Sequence, residues 1–181
     1  GGFLAGYSEN LGGYGRLSGA QIVQLVAKEF SVHPRLLLAL LEHEGQWVFG
    51  EPSNETLRNY PLGLVEEGKA GLYKQLVYAA GIIDSGYYGW REGMVVALRF
   101  PDGKSLRLAA ELNCGSVGMM YYYAQRFNFD DWYQRLYGEQ SFVETYNAMF
   151  GNAWLIAQQF EPLFTPAVLQ PELILPFEEN V

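Results

Sequence analysis

The chain has 181 residues, of which 49% are apolar and 18% charged, and its formal net charge is −8. This composition excludes a disordered chain, and no apolar run approaches the roughly 18 residues that a membrane span requires. The negative charge also argues against nucleic acid or an anionic membrane as the main partner. The sequence therefore predicts one soluble domain, with no nucleic-acid binding and no membrane insertion.

Cysteine and histidine are scarce in this chain. Cys114 is the single cysteine, so an internal disulfide is excluded and no thiol cluster is available for zinc or iron–sulfur. His33 and His43 are the two histidines, too few for most metal sites. We therefore predict no metal and no cofactor. The chain begins Gly-Gly-Phe, without the basic and apolar regions of a signal peptide.

The first predicted elements are a lead-in and a helix. Residues 1–17 hold six glycines and little periodicity, which predicts a flexible segment. Ser18 is a candidate N-cap for a helix that runs to about Phe30, because apolar residues recur at helical spacing.

A second helix is predicted from Arg35 to about Glu44, since Pro34 suits a first turn and Gly45 suits a C-cap. The apolar run Leu36–Leu41 leaves no polar stripe, which is typical of a helix buried on most sides. We expect this helix to be the centre of the core.

The rest of the body is predicted to be helical, with one short hairpin. Residues 50–63 have the composition of a loop, and a helix from about Gly71 to Ile83 is followed by a glycine-broken aromatic stretch at 86–90. Asp102-Gly103 between apolar runs predicts a hairpin. Further helices are expected near 109–127, 130–137 and 141–160. The predicted fold class is mainly α, with a helical domain over residues 18–161 and an extended, proline-containing tail over 162–181.

Glu44 is the strongest candidate for chemistry. It ends the apolar helix, where the helix terminus and the neighbouring Leu40, Leu41 and Trp47 should disfavour its charge. A carboxyl kept protonated near neutral pH can donate a proton to a glycosidic oxygen. The alternative is that Glu44 is an ordinary surface glutamate at a helix end. The nearby Glu42 is interpreted as a solvated surface charge.

Three short segments carry a family resemblance. Residues 37–47, ending Glu42-His43-Glu44-Gly45-Gln46-Trp47, resemble the helix that ends in the catalytic glutamate of soluble lytic transglycosylases and goose-type lysozymes. Residues 63–66, Gly-Leu-Val-Glu, resemble the Gly-Leu-Met-Gln segment of that family, and residues 113–115, Asn-Cys-Gly, resemble part of its Tyr-Asn-Ala-Gly segment. Leu112 stands where the tyrosine would be, and the serine that usually follows the glutamate is missing.

The resemblance implies a lysozyme-like fold, an extracytoplasmic location and a groove for peptidoglycan glycan strands. It assigns the role of general acid and base to Glu44, because lytic transglycosylation needs one carboxyl that protonates the leaving oxygen and then deprotonates the sugar hydroxyl. Hydrolysis would commonly require a second carboxylate, for which Glu66, Glu67 and Asp84 are candidates.

Candidate substrate-binding residues accompany Glu44. Aromatic rings stack on sugar faces, so exposed aromatics are candidates, with core packing as the alternative. Asn113 is a candidate contact for an N-acetyl group, or else a helix cap. The predicted substrate-binding residues are Trp47, Tyr60, Gly63, Leu64, Tyr87, Tyr88, Trp90 and Asn113.

The tail contains an apolar run, Leu173-Ile174-Leu175-Pro176-Phe177. It resembles a junction that leads, in bacterial proteins with similar helical domains, into a zinc metallopeptidase domain that cuts wall peptides. A tail that packs back on the helical body is the alternative. Three hypotheses follow: a glycan-cleaving enzyme, a non-catalytic glycan-binding module that positions a linked peptidase, and a purely structural domain.

Overall fold

The structure is a computed structural model that describes residues 1–152. It is mainly helical with two short antiparallel hairpins, which confirms the predicted fold class. The elements in chain order are α1 (Phe3–Gly6), β1 (Ser8–Asn10), a 3-10 turn (Gly12–Tyr14), β2 (Arg16–Ser18), α2 (Gly19–Glu29), α3 (Pro34–Gly45), α4 (Glu55–Asn59), α5 (Leu72–Arg91), β3 (Ala97–Arg99), β4 (Ser105–Arg107), α6 (Cys114–Ala124), α7 (Phe129–Tyr137) and α8 (Phe142–Phe150).

Helix α3 lies at the centre of the core, as the apolar run predicted. Leu37 and Leu40 are fully buried, and the helix packs against α2 and α8. The N-cap is His33, whose ring accepts a hydrogen bond from the Arg35 amide, and Pro34 occupies the first turn. Burial of each leucine side chain contributes roughly 1.5–3 kcal/mol, so this helix anchors the fold.

Gly45 was predicted as the C-cap of α3, but it is the last helical residue. Gln46 adopts the left-handed conformation instead, with φ of 54°. A Cβ atom on Gly45 would lie 2.7 Å from the carbonyl oxygen of Pro61. Glycine is therefore required here because the loop at Pro61 approaches the end of α3 closely.

Helix α5 continues through the stretch that the sequence analysis interpreted as a glycine-broken segment after Ile83. A Cβ atom on Gly86 would lie 2.5 Å from the Cβ of Tyr121 and 3.0 Å from the Cα of Gly118. These glycines let α5 and α6 pack at short range, the most extensive helix pair in the described chain. The prediction of a break was wrong because the glycines serve helix packing and do not form a bend.

The first residues form α1 and β1 and begin β2, within the segment 1–17 for which a flexible lead-in was predicted. β1 and β2 form a hairpin whose connection uses positive φ at Gly12 and Gly15. The amides of Phe3 and Leu4 donate to the carbonyl oxygens of Gly50 and Trp47, which fixes this segment to the loop after α3. Gly12 and Gly15, two of the six glycines, therefore shape the connection of the hairpin.

Other predicted elements are recovered with shorter bounds. Ser18 caps α2 through a capping box with Gln21, and the predicted hairpin is present as β3 paired with β4. Helix α4 lies within the segment that was predicted to be a loop. The predicted helix 141–160 is present as α8, Phe142–Phe150, and its remainder and the tail 162–181 lie outside the described residues.

Candidate functional site

Glu44 is at the last turn of α3, and its side chain is only 7% exposed. The guanidinium of Arg135, on α7, donates from Nη1 to both carboxylate oxygens, at 3.2 Å to Oε1 and 3.0 Å to Oε2. Such a pair stabilises the charged carboxylate directly. The sequence predicted apolar surroundings for the Glu44 carboxylate, whereas the structure shows it in an ion pair with Arg135.

Arg135 is the more exposed partner of this ion pair. Its side chain is 37% exposed, and its guanidinium stacks over the ring of Phe127 at 4.0 Å from the ring centre. It lines a polar cavity of about 410 Å³ together with His43 and Phe127, whereas Glu44 does not line that cavity. The carboxylate is thus covered by the arginine that pairs with it.

Two tyrosines of α6 lie on the inner side of Glu44. Burial and then the charge of Glu44 raise the pKa of Tyr123 well above its ordinary value, and its hydroxyl forms no well-aligned hydrogen bond within residues 1–152. Burial also raises the pKa of Tyr122, whose hydroxyl accepts a hydrogen bond from Arg126. Both phenols stay neutral at physiological pH, so they supply no proton acceptor to the site.

His43 is next to Glu44 and is mostly buried. Its Nδ1 is 3.3 Å from the hydroxyl of Thr145 on α8, and its Nε2 is 4.0 Å from Glu44 Oε1. Burial lowers the pKa of His43, which the charge of Glu44 opposes and the charge of Arg135 reinforces. The ring is therefore predominantly neutral at pH 7.

Gly63 is next to Arg126 in the structure. Arg126 Nη2 donates to the carbonyl oxygen of Leu62 at 2.6 Å, and a Cβ on Gly63 would be 3.7 Å from that nitrogen. Gly63 has φ of 70°, the left-handed region that favours glycine. Since Arg126 also contacts Tyr122, the structure brings Gly63 into the neighbourhood of Glu44.

Gln75 organises the loop that contains Gly63 and Leu64. It is fully buried, and its Oε1 accepts from the amides of Leu62 and Leu64 while its Nε2 donates to the carbonyl oxygens of Leu64 and Lys69. Gln75 is not among the candidate residues predicted from the sequence. A glutamine among the apolar positions of a helix is a usable signal for such a role.

Trp47 and its neighbours are structural. Trp47 is fully buried, its indole nitrogen donates to the Leu57 carbonyl at 2.9 Å, and Phe3 meets its ring edge-on. It is therefore not a stacking platform on the surface. Leu64 is also buried, and Tyr60 is half-buried. Glu42, interpreted as a solvated charge, accepts hydrogen bonds from the amides at positions 48 and 49 and closes the loop after α3.

A second region lies near the other end of α3, where α5 presents two exposed tyrosines. Tyr87 and Tyr88 are 37% and 42% exposed and line a cavity of about 390 Å³ with Asp84 and His33. A neighbouring apolar cavity of about 290 Å³ is lined by residues of α6, α7 and α8, including Tyr137.

The two cavities share the lining residues Leu36 and Gly115, so they are adjacent. We call this pair of cavities the tyrosine groove, defined by Asp84, Tyr87 and Tyr88 in one cavity and Tyr137 in the other. Its borders combine exposed aromatic rings with a carboxylate.

Asn113 lies beside the tyrosine groove and not in the surroundings of Glu44. Its side chain caps α6 by accepting from the Ser116 amide at 2.8 Å, and Ser116 lines the groove. Tyr123, beside Glu44, is ten residues further along the chain, or about 15 Å along the helix axis. The structure therefore does not bring Asn113 together with Glu44. Trp90 is half-buried, and its indole donates to the Leu112 carbonyl next to this cap.

Comparison with known proteins identifies the family. A family model described as LasA, N-terminal domain, matches residues 2–163, which is most of the chain. The chain belongs to the LasA N-terminal domain family. LasA itself is a secreted staphylolytic peptidase. No curated protein and no solved structure matched the chain.

Membership of the LasA N-terminal domain family gives this chain a role in a secreted bacterial protein that acts on the cell wall. This confirms the predicted connection to a cell-wall enzyme, whereas the lysozyme-like resemblance stays a prediction. Within residues 1–152, no helix is both long and apolar enough to cross a membrane. In the same part of the chain, no cluster of three or more His, Cys, Asp or Glu side chains is arranged to hold a metal ion.

Proposed function

We propose that this domain binds the glycan strands of peptidoglycan without cleaving them. The observation that carries the proposal is the tyrosine groove, two adjacent cavities bordered by exposed aromatic rings and a carboxylate. A binding module of this kind suits the N-terminal domain of a secreted protein that acts on the cell wall.

The chemistry of the groove supports a carbohydrate ligand. Tyr87, Tyr88 and Tyr137 offer exposed rings, and amphipathic rings of this type stack on the apolar faces of sugars. Asp84 and Ser116 add a carboxylate and a hydroxyl that can bond sugar hydroxyl groups. Ligand sites commonly combine a mainly apolar lining with a few polar groups in this way.

The surroundings of Glu44 favour binding over cleavage. A general acid must carry a proton and must reach the glycosidic oxygen within hydrogen-bond distance. Glu44 is covered and paired by Arg135, and the two other groups next to it, His43 and Tyr123, are mostly buried. The arrangement instead ties α3 to α7, so we assign Glu44 to the stability of the domain.

Binding to purified peptidoglycan tests the proposal. In co-sedimentation and in titrations with N-acetylglucosamine oligomers, the wild-type domain is expected to bind. The double variant Tyr87→Ala/Tyr88→Ala is expected to weaken binding by about tenfold or more, because buried aromatic contacts dominate binding energy. Phe49→Ala is the matched control, since Phe49 is 68% exposed and does not line the groove.

Product analysis separates binding from cleavage. Mass spectrometry of peptidoglycan incubated with the wild-type domain is expected to show neither 1,6-anhydromuramic ends nor new reducing ends. Either product, if abolished by Glu44→Gln, would establish an enzyme and overturn the proposal. Equal binding by the tyrosine variant and the wild type would remove the groove as the site.

A further inference from the structure

Asp84, on α5, carries a partly exposed carboxylate. It lines the larger cavity of the tyrosine groove and forms no hydrogen bond or ion pair with any of residues 1–152. Its burial raises its pKa above the ordinary value, with no attractive charge opposing that effect. A carboxylate that lines a cavity and has no partner among residues 1–152 is available to bond a polar or positively charged group of a ligand.

Two tyrosines are placed beside this carboxylate by helix geometry. Tyr87 and Tyr88 follow Asp84 by three and four residues on α5, which puts all three side chains on one face of the helix. The two rings are 5.0 Å apart between centroids and meet edge to face, at 70° between planes. The faces of aromatic rings attract cations, and the attraction adds to that of a nearby carboxylate.

The charges around the groove favour a positively charged ligand. No lysine or arginine lines either cavity among the described residues, and the chain has a net charge of −8. His33, which also lines the larger cavity, accepts a hydrogen bond at Nδ1 and so carries its proton on Nε2 when neutral. Arg35 and Arg91 are exposed at the adjoining helix ends, but neither lines the groove.

We propose that Asp84, Tyr87 and Tyr88 bind the ammonium group of a de-N-acetylated glucosamine unit in the glycan strand. This inference rests on the proposed function, because the sugar ring must stack on a tyrosine while its amino group reaches Asp84. An amine attached directly to the ring satisfies both contacts within one residue of glycan, whereas a peptide amine lies several bonds from the sugar. The N-acetylated unit has no positive charge and leaves Asp84 without an ionic partner.

Titrations with two matched oligosaccharides test the inference. A glucosamine tetramer and an N-acetylglucosamine tetramer are compared by calorimetry at about pH 6, where the amine is protonated. The wild-type domain is expected to bind the glucosamine tetramer about tenfold more tightly. Asp84→Asn is expected to remove this preference while it keeps binding of the N-acetylated tetramer, because the tyrosine rings remain.

A charge-matched variant keeps the test specific. Glu67→Gln removes one negative charge from an exposed position that does not line the groove, so the preference for the glucosamine tetramer should survive. Equal affinity of the wild type for both tetramers, or an unchanged preference in Asp84→Asn, overturns the inference and leaves glycan binding intact. If the wild-type domain binds neither tetramer and does not bind peptidoglycan, the proposed function itself is overturned. Circular dichroism of each variant verifies that the fold is retained.

Discussion

Glu44 and Arg135 are 91 positions apart in the chain, and the Nη1 atom of Arg135 lies 3.0 Å from the Oε2 atom of Glu44. The pair links the end of the central helix α3 to α7. In this pair the Glu44 carboxylate, the best candidate for acid catalysis predicted from the sequence, is almost fully shielded from solvent. Its energetic role can be measured directly.

Removing Arg135 is expected to destabilise the domain. Arg135→Met leaves the Glu44 carboxylate, only 7% exposed, without its partner, and the free energy of unfolding should fall by about 1–3 kcal/mol. The double variant Glu44→Gln/Arg135→Met should recover part of this loss, because no charge is then left unpaired. Urea denaturation of both single variants and the double variant gives the coupling energy.

An exposed pair is the control for that cycle. Arg58 and Glu51 are 3.5 Å apart with side chains 45% and 70% exposed, and surface pairs of this kind contribute about 0–1 kcal/mol. Arg58→Met should therefore change stability little. If Arg135→Met proves equally mild, the buried ion pair does not hold α3 to α7.

Titration of His43 is expected to make stability depend on pH. Burial lowers its pKa from the ordinary 6.5, so the unfolded chain binds a proton more readily than the folded one. Its contribution is thus fully present above pH 6.5 and is lost as the pH falls through the lower folded pKa. Unfolding free energies measured between about pH 7.5 and 5 should decrease toward acid.

Two asparagine variants test whether His43 causes the decrease in stability toward acid. His43→Asn should flatten the decrease between pH 7.5 and 5, because the titrating group is gone. His33→Asn should retain it, since His33 is an exposed helix cap and asparagine is a good cap residue. A decrease that persists in His43→Asn would place the responsible group elsewhere.

Several features of the fold were predictable from local patterns, and others were not. The burial of α3 follows from its apolar run, and the capping box at Ser18 follows from residue types three positions apart. The course of α5 through Gly86 was missed, because glycine has the same local signal whether it bends a chain or admits a neighbouring helix. Only the position of α6 distinguishes the two.

The candidate site shows the same division. Glu44 was identified at the correct helix end, but pairing with a residue 91 positions away has no local signature in the sequence. Tyr87 and Tyr88 are exposed, as their prediction as sugar-stacking residues requires. Trp47, which was predicted for the same role, is in the core. The tyrosine groove arises where helices α3, α5, α6, α7 and α8 meet, which residue types alone do not reveal.

Alanine at two glycines of α5 should have opposite effects on stability. Gly86→Ala places a Cβ 2.5 Å from the Cβ of Tyr121 and should destabilise the domain by about 1–3 kcal/mol, since α5 and α6 must separate. Gly81→Ala meets only Phe30, at 3.8 Å, and should stabilise it by up to ~1 kcal/mol because alanine is the better helix former. Thermal unfolding of the two variants measures the difference. Similar changes for both would mean that Gly86 does not determine the α5–α6 distance.

Asn113 has two interpretations, helix cap and sugar contact, which matched substitutions can separate. Asn113→Ala removes the acceptor for the Ser116 amide at 2.8 Å, and loss of such a cap costs about 1 kcal/mol. Asn113→Asp retains the acceptor and should retain stability, but it loses the amide donor and adds a negative charge beside the groove.

If Asn113 is only a cap, Asn113→Asp should bind N-acetylglucosamine oligomers as the wild type does, and Asn113→Ala should lose stability alone. If the amide contacts an N-acetyl group, Asn113→Asp should weaken binding of those oligomers at unchanged stability. We expect the first result, because the side-chain amide nitrogen already donates to the Ser116 hydroxyl at 3.0 Å. The Asn113 amide nitrogen therefore bonds the Ser116 hydroxyl while its amide oxygen accepts from the Ser116 backbone amide, so both polar atoms are used within the first turn of α6. The residues of this turn that line the groove are Gly115 and Ser116.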